Sequence, residues 1–310
     1  MLSRVADAIF WLSRYMERTK IEVTFLHTNY VAIQDNAIDN NWKLIIEKYG
    51  DKRFLEKNSK DHYKASETLL HLLTDKNNPA SILNNVMYAR ENARSVQDNI
   101  TKELWQMLNN FHHTIRNEKN DSILRNEDPV EVLDMIQQQC YLYSGTLDYT
   151  MDRGPGYFFL NVGKRIERTL QSIQILKIKL KEIHFNLDDD SKTLSFRYVL
   201  YALSGNELYG KTYRGALTIR NIINFVLFSP VFTNSVQYSL GRIRSSLNPL
   251  KEESKPDAFS QVDFEIGRII SSFVYSKPDL QDGKQLAEYL DQLEKEILMF
   301  SARFSKLYFG

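Results

Sequence analysis

Residues 3–34 read Ser3-Arg-Val5-Ala-Asp7-Ala-Ile9-Phe-Trp11-Leu12-Ser-Arg14-Tyr-Met16-Glu17-Arg18-Thr19-Lys-Ile-Glu-Val23-Thr-Phe25-Leu26-His-Thr-Asn-Tyr30-Val-Ala-Ile-Gln34. At about 100° per residue, Val5, Ile9, Leu12, Met16, Val23, Leu26 and Tyr30 fall within one narrow arc, which predicts a single long helix. Its other side carries Asp7, Trp11, Arg14, Arg18 and Phe25, so aromatics and arginines share one face. A face made only for water rarely holds Trp and Phe. The helix is therefore expected to be covered on both sides. Its guanidinium groups, partly desolvated and unable to give up their charge, then need carboxylate, phosphate or carbonyl partners.

The same period recurs along the chain. Asn78-Pro79 has the form of a helix start, and the stripe behind it runs Ile82, Val86, Ala93, Ile100, Leu104 and Leu108; Asp128-Pro129 opens another helix in the same way. Further helical patterns cover 61–74, 155–184, 192–203, 207–229, 234–246, 259–275 and 283–306. Polar connections lie at 50–60, 74–78, 117–128, 185–191, 248–258 and 276–282. No stretch alternates as a strand does. The expected fold is all-α, about ten helices in a multi-helix bundle.

Composition agrees. Glycine (12) and proline (7) make 19 of 310 residues, about half the usual share, which leaves little for phosphate-cradling loops. A net charge of +1 gives no reason to expect nucleic acid or an acidic membrane as the main partner. Cys140 is the single cysteine, so neither an internal disulfide nor a cysteine-based zinc site is expected. Arg4 and Asp7 stand where a signal peptide needs its apolar segment. The most apolar run, Ile222 to Phe232, contains Asn224 and Pro230 and falls short of the ~18 residues of a membrane span. A cytoplasmic location is expected.

The chain also resembles itself. An offset of about 150 carries the first stripe onto Phe159, Val162, Ile166, Ile173, Leu176 and Leu180, with Pro155 in the place of Val5, and it matches Arg14-Tyr-Met-Glu17-Arg18-Thr19 with Lys164-Arg165-Ile-Glu167-Arg168-Thr169. A slightly longer offset aligns Trp42–Ile46 with Phe196–Leu200 and Ser81 with Ser235. The pattern suggests two related halves, 1–150 and 151–310, packed around a pseudo-twofold axis as one compact domain. Glu17 and Glu167 would then reach across to arginines of the other half.

A second group of charges lies in Tyr88-Ala-Arg90-Glu91-Asn-Ala-Arg94-Ser-Val-Gln-Asp98, where Arg90 projects about 40° from the stripe centre and sits at the edge of the core. Two readings are open: a structural ion-pair network between helices, or a pocket where several arginines receive an anion through bidentate contacts. Asp148 and Arg153 flank the forced turn Gly154-Pro155-Gly156, a good place to line a cleft. Catalytic signatures (HExxH, GxGxxG, Walker, GxSxG, paired Glu-x-x-His) do not occur. Glu67 and His71 are read as a solvated contact, and His112-His113 as rings that diverge on a helix. Cys140 reads as core. No metal or cofactor is expected.

Several of these segments resemble the bacterial alpha-E family. They are Met1–Arg18, Ala89-Arg90-Glu91-Asn92-Ala93-Arg94-Ser95-Val96 with Glu103-Leu-Trp105, Gly145–Arg153, and Phe158-Phe-Leu-Asn-Val-Gly163-Lys-Arg165-Ile-Glu167-Arg168. The resemblance covers essentially the whole chain. It departs at Thr19 and Thr169, where the family usually has Ala, at Lys164 for Arg, and at Thr233-Asn234-Ser235 for Pro-Arg-Ser. The resemblance implies an all-helical protein whose genes lie beside, or are fused to, an ATP-grasp amide-ligase-type protein of circularly permuted arrangement. A transglutaminase-like protein or a proteasome-related peptidase is often nearby. It implies an accessory or partner role in making or modifying a peptide-like product. The alternative is an enzyme of that pathway with an Arg/Glu-lined cleft for a carboxylate or peptide-like substrate. The candidate anion-binding or ion-pair residues are Arg14, Glu17, Arg18, Arg90, Glu91, Arg94, Asp148, Arg153, Arg165, Glu167 and Arg168.

Overall fold

The computed structural model describes residues 1–57, 63–253 and 256–310. Parts of the expected connections 50–60 and 248–258, and the first two positions of the expected helix 61–74, lie outside the described residues. All regular structure among the described residues is helical. Helix α1 (Ser3–Gln34) is unbroken over 32 residues, about 48 Å at the usual rise. Val5, Ile9, Leu12, Met16, Val23 and Leu26 are buried and Tyr30 half-buried; on the other side Arg14 and Phe25 are buried, with Asp7, Trp11 and Arg18 half-buried. Both faces are covered, as the aromatics on the second face require.

The chain forms two compact units, Met1–Arg14 with Asp152–Gly310, and Tyr15–Met151. In the Tyr15–Met151 unit, α1 is followed by α2 (Trp42–Tyr49), α3 (Lys52–Lys57), α4 (Ala65–Leu73), α5 (Ile82–Ser95), α6 (Lys102–Ile115), α7 (Glu118–Asn126) and α8 (Val130–Thr150). Helix α6 lies between α5 and α8, and α4 packs on α7. Leu104, Leu108 and Phe111 of α6 are buried, as are Val86 of α5 and Leu133 and Ile136 of α8. The single helix expected through Leu108 is two. After Ser95 the chain makes a 3-10 turn at Gln97–Asn99, and the Thr101 hydroxyl restarts the helix by accepting the Leu104 N–H at 3.3 Å. Its start also differs from the expectation. Ser81 caps α5 by accepting the Asn84 N–H, while the Asn78 amide donates to the carbonyls of Tyr49 and His71.

His71 is likewise not a solvated contact. It is buried, its ring stacks 4.0 Å from that of Phe54, and Nε2 accepts the Asp51 N–H at 3.3 Å. The ring proton is thereby left on Nδ1, which meets Asp75 at 2.9 Å. Glu67 is exposed beside Lys64.

The other unit holds α9 (Pro155–Glu182), α10 (Thr193–Phe196), α11 (Tyr198–Ala202), α12 (Asn206–Tyr213), α13 (Ile219–Phe228), α14 (Val236–Leu247), α15 (Pro256–Tyr275) and α16 (Gly283–Phe309). Pro155 takes the first position of α9. Helix α9 is the spine: α14 and α16 pack on it, and α15 packs on both of those. Its stripe Phe159, Val162, Ile166, Ile173, Leu176 and Leu180 is buried. The rings of Phe10, Phe159 and Tyr308 gather around Phe304 at 4.7–6.1 Å. The start of α1 lies so close to α9 at Gly163 that a Cβ there would stand 2.5 Å from the Phe10 carbonyl oxygen and 2.4 Å from Ser13 Oγ.

The helices outnumber the ten or so expected. Two of the expected connections hold α3 and α7, and the expected helices 192–203 and 207–229 are each split in two. The second split is forced at Arg214 and Gly215, with φ of 48° and 90°, a conformation no right-handed helix continues through. No helix among the described residues is long and apolar enough to cross a membrane.

Candidate functional site

Three groups of side chains account for most of the charged residues singled out in the sequence. The first lies in the unit that joins Met1–Arg14 to Asp152–Gly310. Arg14 donates from Nε to Glu167 Oε2 at 2.9 Å and from Nη1 to Ser301 Oγ at 2.9 Å. Its guanidinium also lies 4.6 Å from the centre of the Trp11 ring. Gln171 donates to the second oxygen of Glu167 at 3.1 Å. The Arg14 and Glu167 side chains are 7% and 1% exposed. A buried ion pair stands only when its remaining polar atoms are also engaged, and here α1, α9 and α16 each supply a member. Trp11 also bonds to Asp7, whose carboxyl burial pushes upward against that bond.

Further along α9, Arg165 and Arg168 both donate from Nη1 to the Thr233 carbonyl, at 3.3 and 3.2 Å. Arg168 is buried, and Arg165 lies 5.1 Å from the centre of the Tyr238 ring. The rest of this segment is fixed as well. Ser172 donates to the Asn234 carbonyl, Asn234 donates to that of Leu203, and Ser235 caps α14 by accepting the Tyr238 N–H. The two guanidiniums thus tie α9 to the entry of α14. Arg153, at the start of α9, lies 4.1 Å from the centre of the Tyr157 ring.

The other two groups lie in the Tyr15–Met151 unit. On α5, Glu91 bridges Arg90 at 2.6 Å and Arg94 at 2.7 Å. Arg90 also donates to Asn109 Oδ1 of α6 at 2.8 Å and lies 5.4 Å from the centre of the Trp105 ring. Arg94 and Glu91 keep 62% and 41% of their side chains exposed, so this group borders solvent. Beneath it is His112, buried, with its pKa pushed down to about 4, first by burial and then by the charges of Arg90, Arg116 and His113, against a smaller opposing pull from Glu91. Its Nδ1 has no hydrogen-bond partner among the described residues.

The third group is Glu17, buried on α1, whose charge acts on Cys140 and Tyr143 of α8. Burial pushes both of those groups upward, and Glu17 adds to each, as Asp148 does for Tyr143. Burial thus favours the protonated Cys140 thiol, the less nucleophilic form. Arg18 lies 5.7 Å from the centre of the Tyr15 ring.

The structure therefore brings Arg14 to Glu167, Arg165 to Arg168, and Arg90 to Glu91 and Arg94. Sequence reasoning missed Ser301 and Asn109, and it read Thr233 only as a departure from the family pattern and His112 only as one of two diverging rings. Ser301 leaves a signal, being a single small polar residue on the buried α16 stripe of Ile297, Phe304 and Tyr308. Thr233 leaves none, because it acts through its backbone oxygen.

A family model described as a predicted alpha-helical domain with a conserved ER motif matches residues 1–309. The chain belongs to the Alpha-E family. The Glu-Arg pair occurs twice in it, as Glu17-Arg18 and Glu167-Arg168, and the second pair supplies both the carboxylate that closes on Arg14 and a guanidinium on Thr233. Among curated proteins, this Alpha-E chain is similar to the uncharacterized proteins Mb2597 of Mycobacterium bovis, at 23% identity, and Rv2567 of Mycobacterium tuberculosis, at 22%. Each match runs over 198 residues, 61% of this chain and 22% of the relative, so the chain spans only about a fifth of the length of the relatives it matches. No solved structure matches it.

Proposed function

We propose that this Alpha-E chain is an accessory partner of an ATP-grasp amide-ligase-type protein, working in the cytoplasm on the synthesis or modification of a peptide-like product. The observation that carries the reading is the closure of Arg14 on Glu167 and Ser301. A guanidinium neutralised by a buried carboxylate holds three helices together and has no charge to spare for a substrate. The Glu-Arg pair of α9 is then an internal clamp that shapes a binding body. The length of the relatives agrees: a stretch of 198 residues that is 22% of the whole places the similar region in a chain of about 900 residues, beside other polypeptide.

Co-purification of the chain with the ATP-grasp-type protein of the same organism tests this. The reading expects a stable complex; two folded proteins that elute apart contradict it. A transglutaminase-like protein or a proteasome-related peptidase is the next partner to try. One observation favours the alternative, an enzyme that binds a carboxylate or peptide-like substrate: Arg94 and Glu91 border solvent above a buried neutral histidine. Arg90→Lys and Arg94→Lys variants that remain folded and leave product formation undiminished would remove it.

A further inference from the structure

The outer face of α15 and α16 does not read as a solvated surface. Phe264 is 72% exposed and Met299 56%, and the two helices leave a groove of about 570 Å³ beside Phe264 that reaches Leu307 at one end. It continues past Arg268 over a floor of buried Ile269 and Phe300. From Gln261 to Ile269 the groove follows α15 for about 12 Å, the length over which a docked helix presents its i, i+3, i+4 and i+7 side chains.

Two ion pairs border it, Arg268 with Glu296 at 3.4 Å and Arg303 with Glu265, and a third, Arg244 with Asp263 at 3.1 Å, lies on the α14 side of Phe264. In every pair the guanidinium is the outer member. In that order the arginines are 52%, 59% and 51% exposed and their carboxylates 21%, 16% and 30%. An incoming partner therefore meets an aromatic ringed by cations, with the compensating anions beneath. Arginine and aromatic side chains are the types that carry interface energy. A second copy of this face would bring cation against cation.

We propose that the groove between α15 and α16 docks an acidic amphipathic helix from a partner protein, with Phe264 entering its apolar stripe and Arg268 and Arg303 meeting its carboxylates. The proposal holds whichever protein supplies the helix, and its failure leaves the ligase-partner reading standing.

The test uses two fluorescent helical peptides with one leucine stripe, flanked by glutamates in the first and by lysines in the second, titrated against the full chain by anisotropy. The glutamate peptide is expected to bind at least about tenfold more tightly than the lysine peptide. Phe264→Ala is expected to weaken it about tenfold or more, the loss typical of a central anchor. Arg268→Gln with Arg303→Gln is expected to weaken it and flatten its salt dependence. These positions are exposed, and an unchanged melting temperature confirms that each variant folds. Equal binding of the two peptides, binding of neither, or an unchanged affinity in Phe264→Ala overturns the proposal. So does a dimer, seen by light scattering, that Phe264→Ala abolishes, because the face then belongs to a second copy.

Discussion

Arg14 and Glu167 illustrate how far chemistry at single residues was readable. An arginine next to an aromatic on the second face of a long helix needs a partner, and a matching Glu-Arg pair about 150 positions on offers one. What the sequence leaves open is the third member, Ser301, and the use of a bare carbonyl at Thr233 by Arg165 and Arg168. Removing one partner of a buried pair strands the other charge, so Glu167→Ala is expected to cost about 3–5 kcal/mol in urea unfolding. Replacing both by apolar residues of similar volume, Arg14→Met with Glu167→Leu, strands no charge, takes one partner each from the Gln171 amide and the Ser301 hydroxyl, and should recover a good part of that loss. His112 gives a pH signature. Its folded pKa of about 4 lies below the ordinary 6.5, so between those values the unfolded chain binds more protons. The contribution is therefore whole above about pH 6.5, shrinks as pH falls toward about 4, and levels off below. The stability difference between wild type and His112→Asn should be flat above neutrality and change through that window.

Among the elements, α1 and α9 were legible because each carries one uninterrupted apolar period, and Pro155 marks the start of α9. The α5–α6 break was not. Val86 and Ala93 before the 3-10 turn and Ile100, Leu104 and Leu108 after it are all buried, so the apolar spacing runs through the interruption and only Thr101, a capping residue, betrays it. Short helices such as α3 and α7 hide in polar stretches because packing and caps stabilise them more than propensity does. Two substitutions test these local arguments by urea unfolding. Thr101→Ala removes the cap of α6 and its contact with Thr150, and should cost about 1 kcal/mol or somewhat more. Gly163→Ala pushes a methyl group into the Phe10 carbonyl and the Ser13 hydroxyl, and should cost about 1–3 kcal/mol as α1 and α9 are forced apart.

For the whole molecule, scarce glycine and proline and long apolar periods made the helical class plain. Chain order alone does not show that Met1–Arg14 belongs with Asp152–Gly310. That membership follows from where Phe10 and Arg14 find partners, against Phe304 and Glu167. On the proposed reading, the chain acts as a binding body in which the Arg14–Glu167 pair is closed internally. The most direct test combines the Arg14→Met and Glu167→Leu changes in one chain and measures product formation in a system reconstituted with the proposed ATP-grasp-type partner. The account predicts a folded chain that still binds the partner and still supports full product formation. A folded chain that binds the partner but yields no product would contradict it, because the two charges would then be doing chemistry.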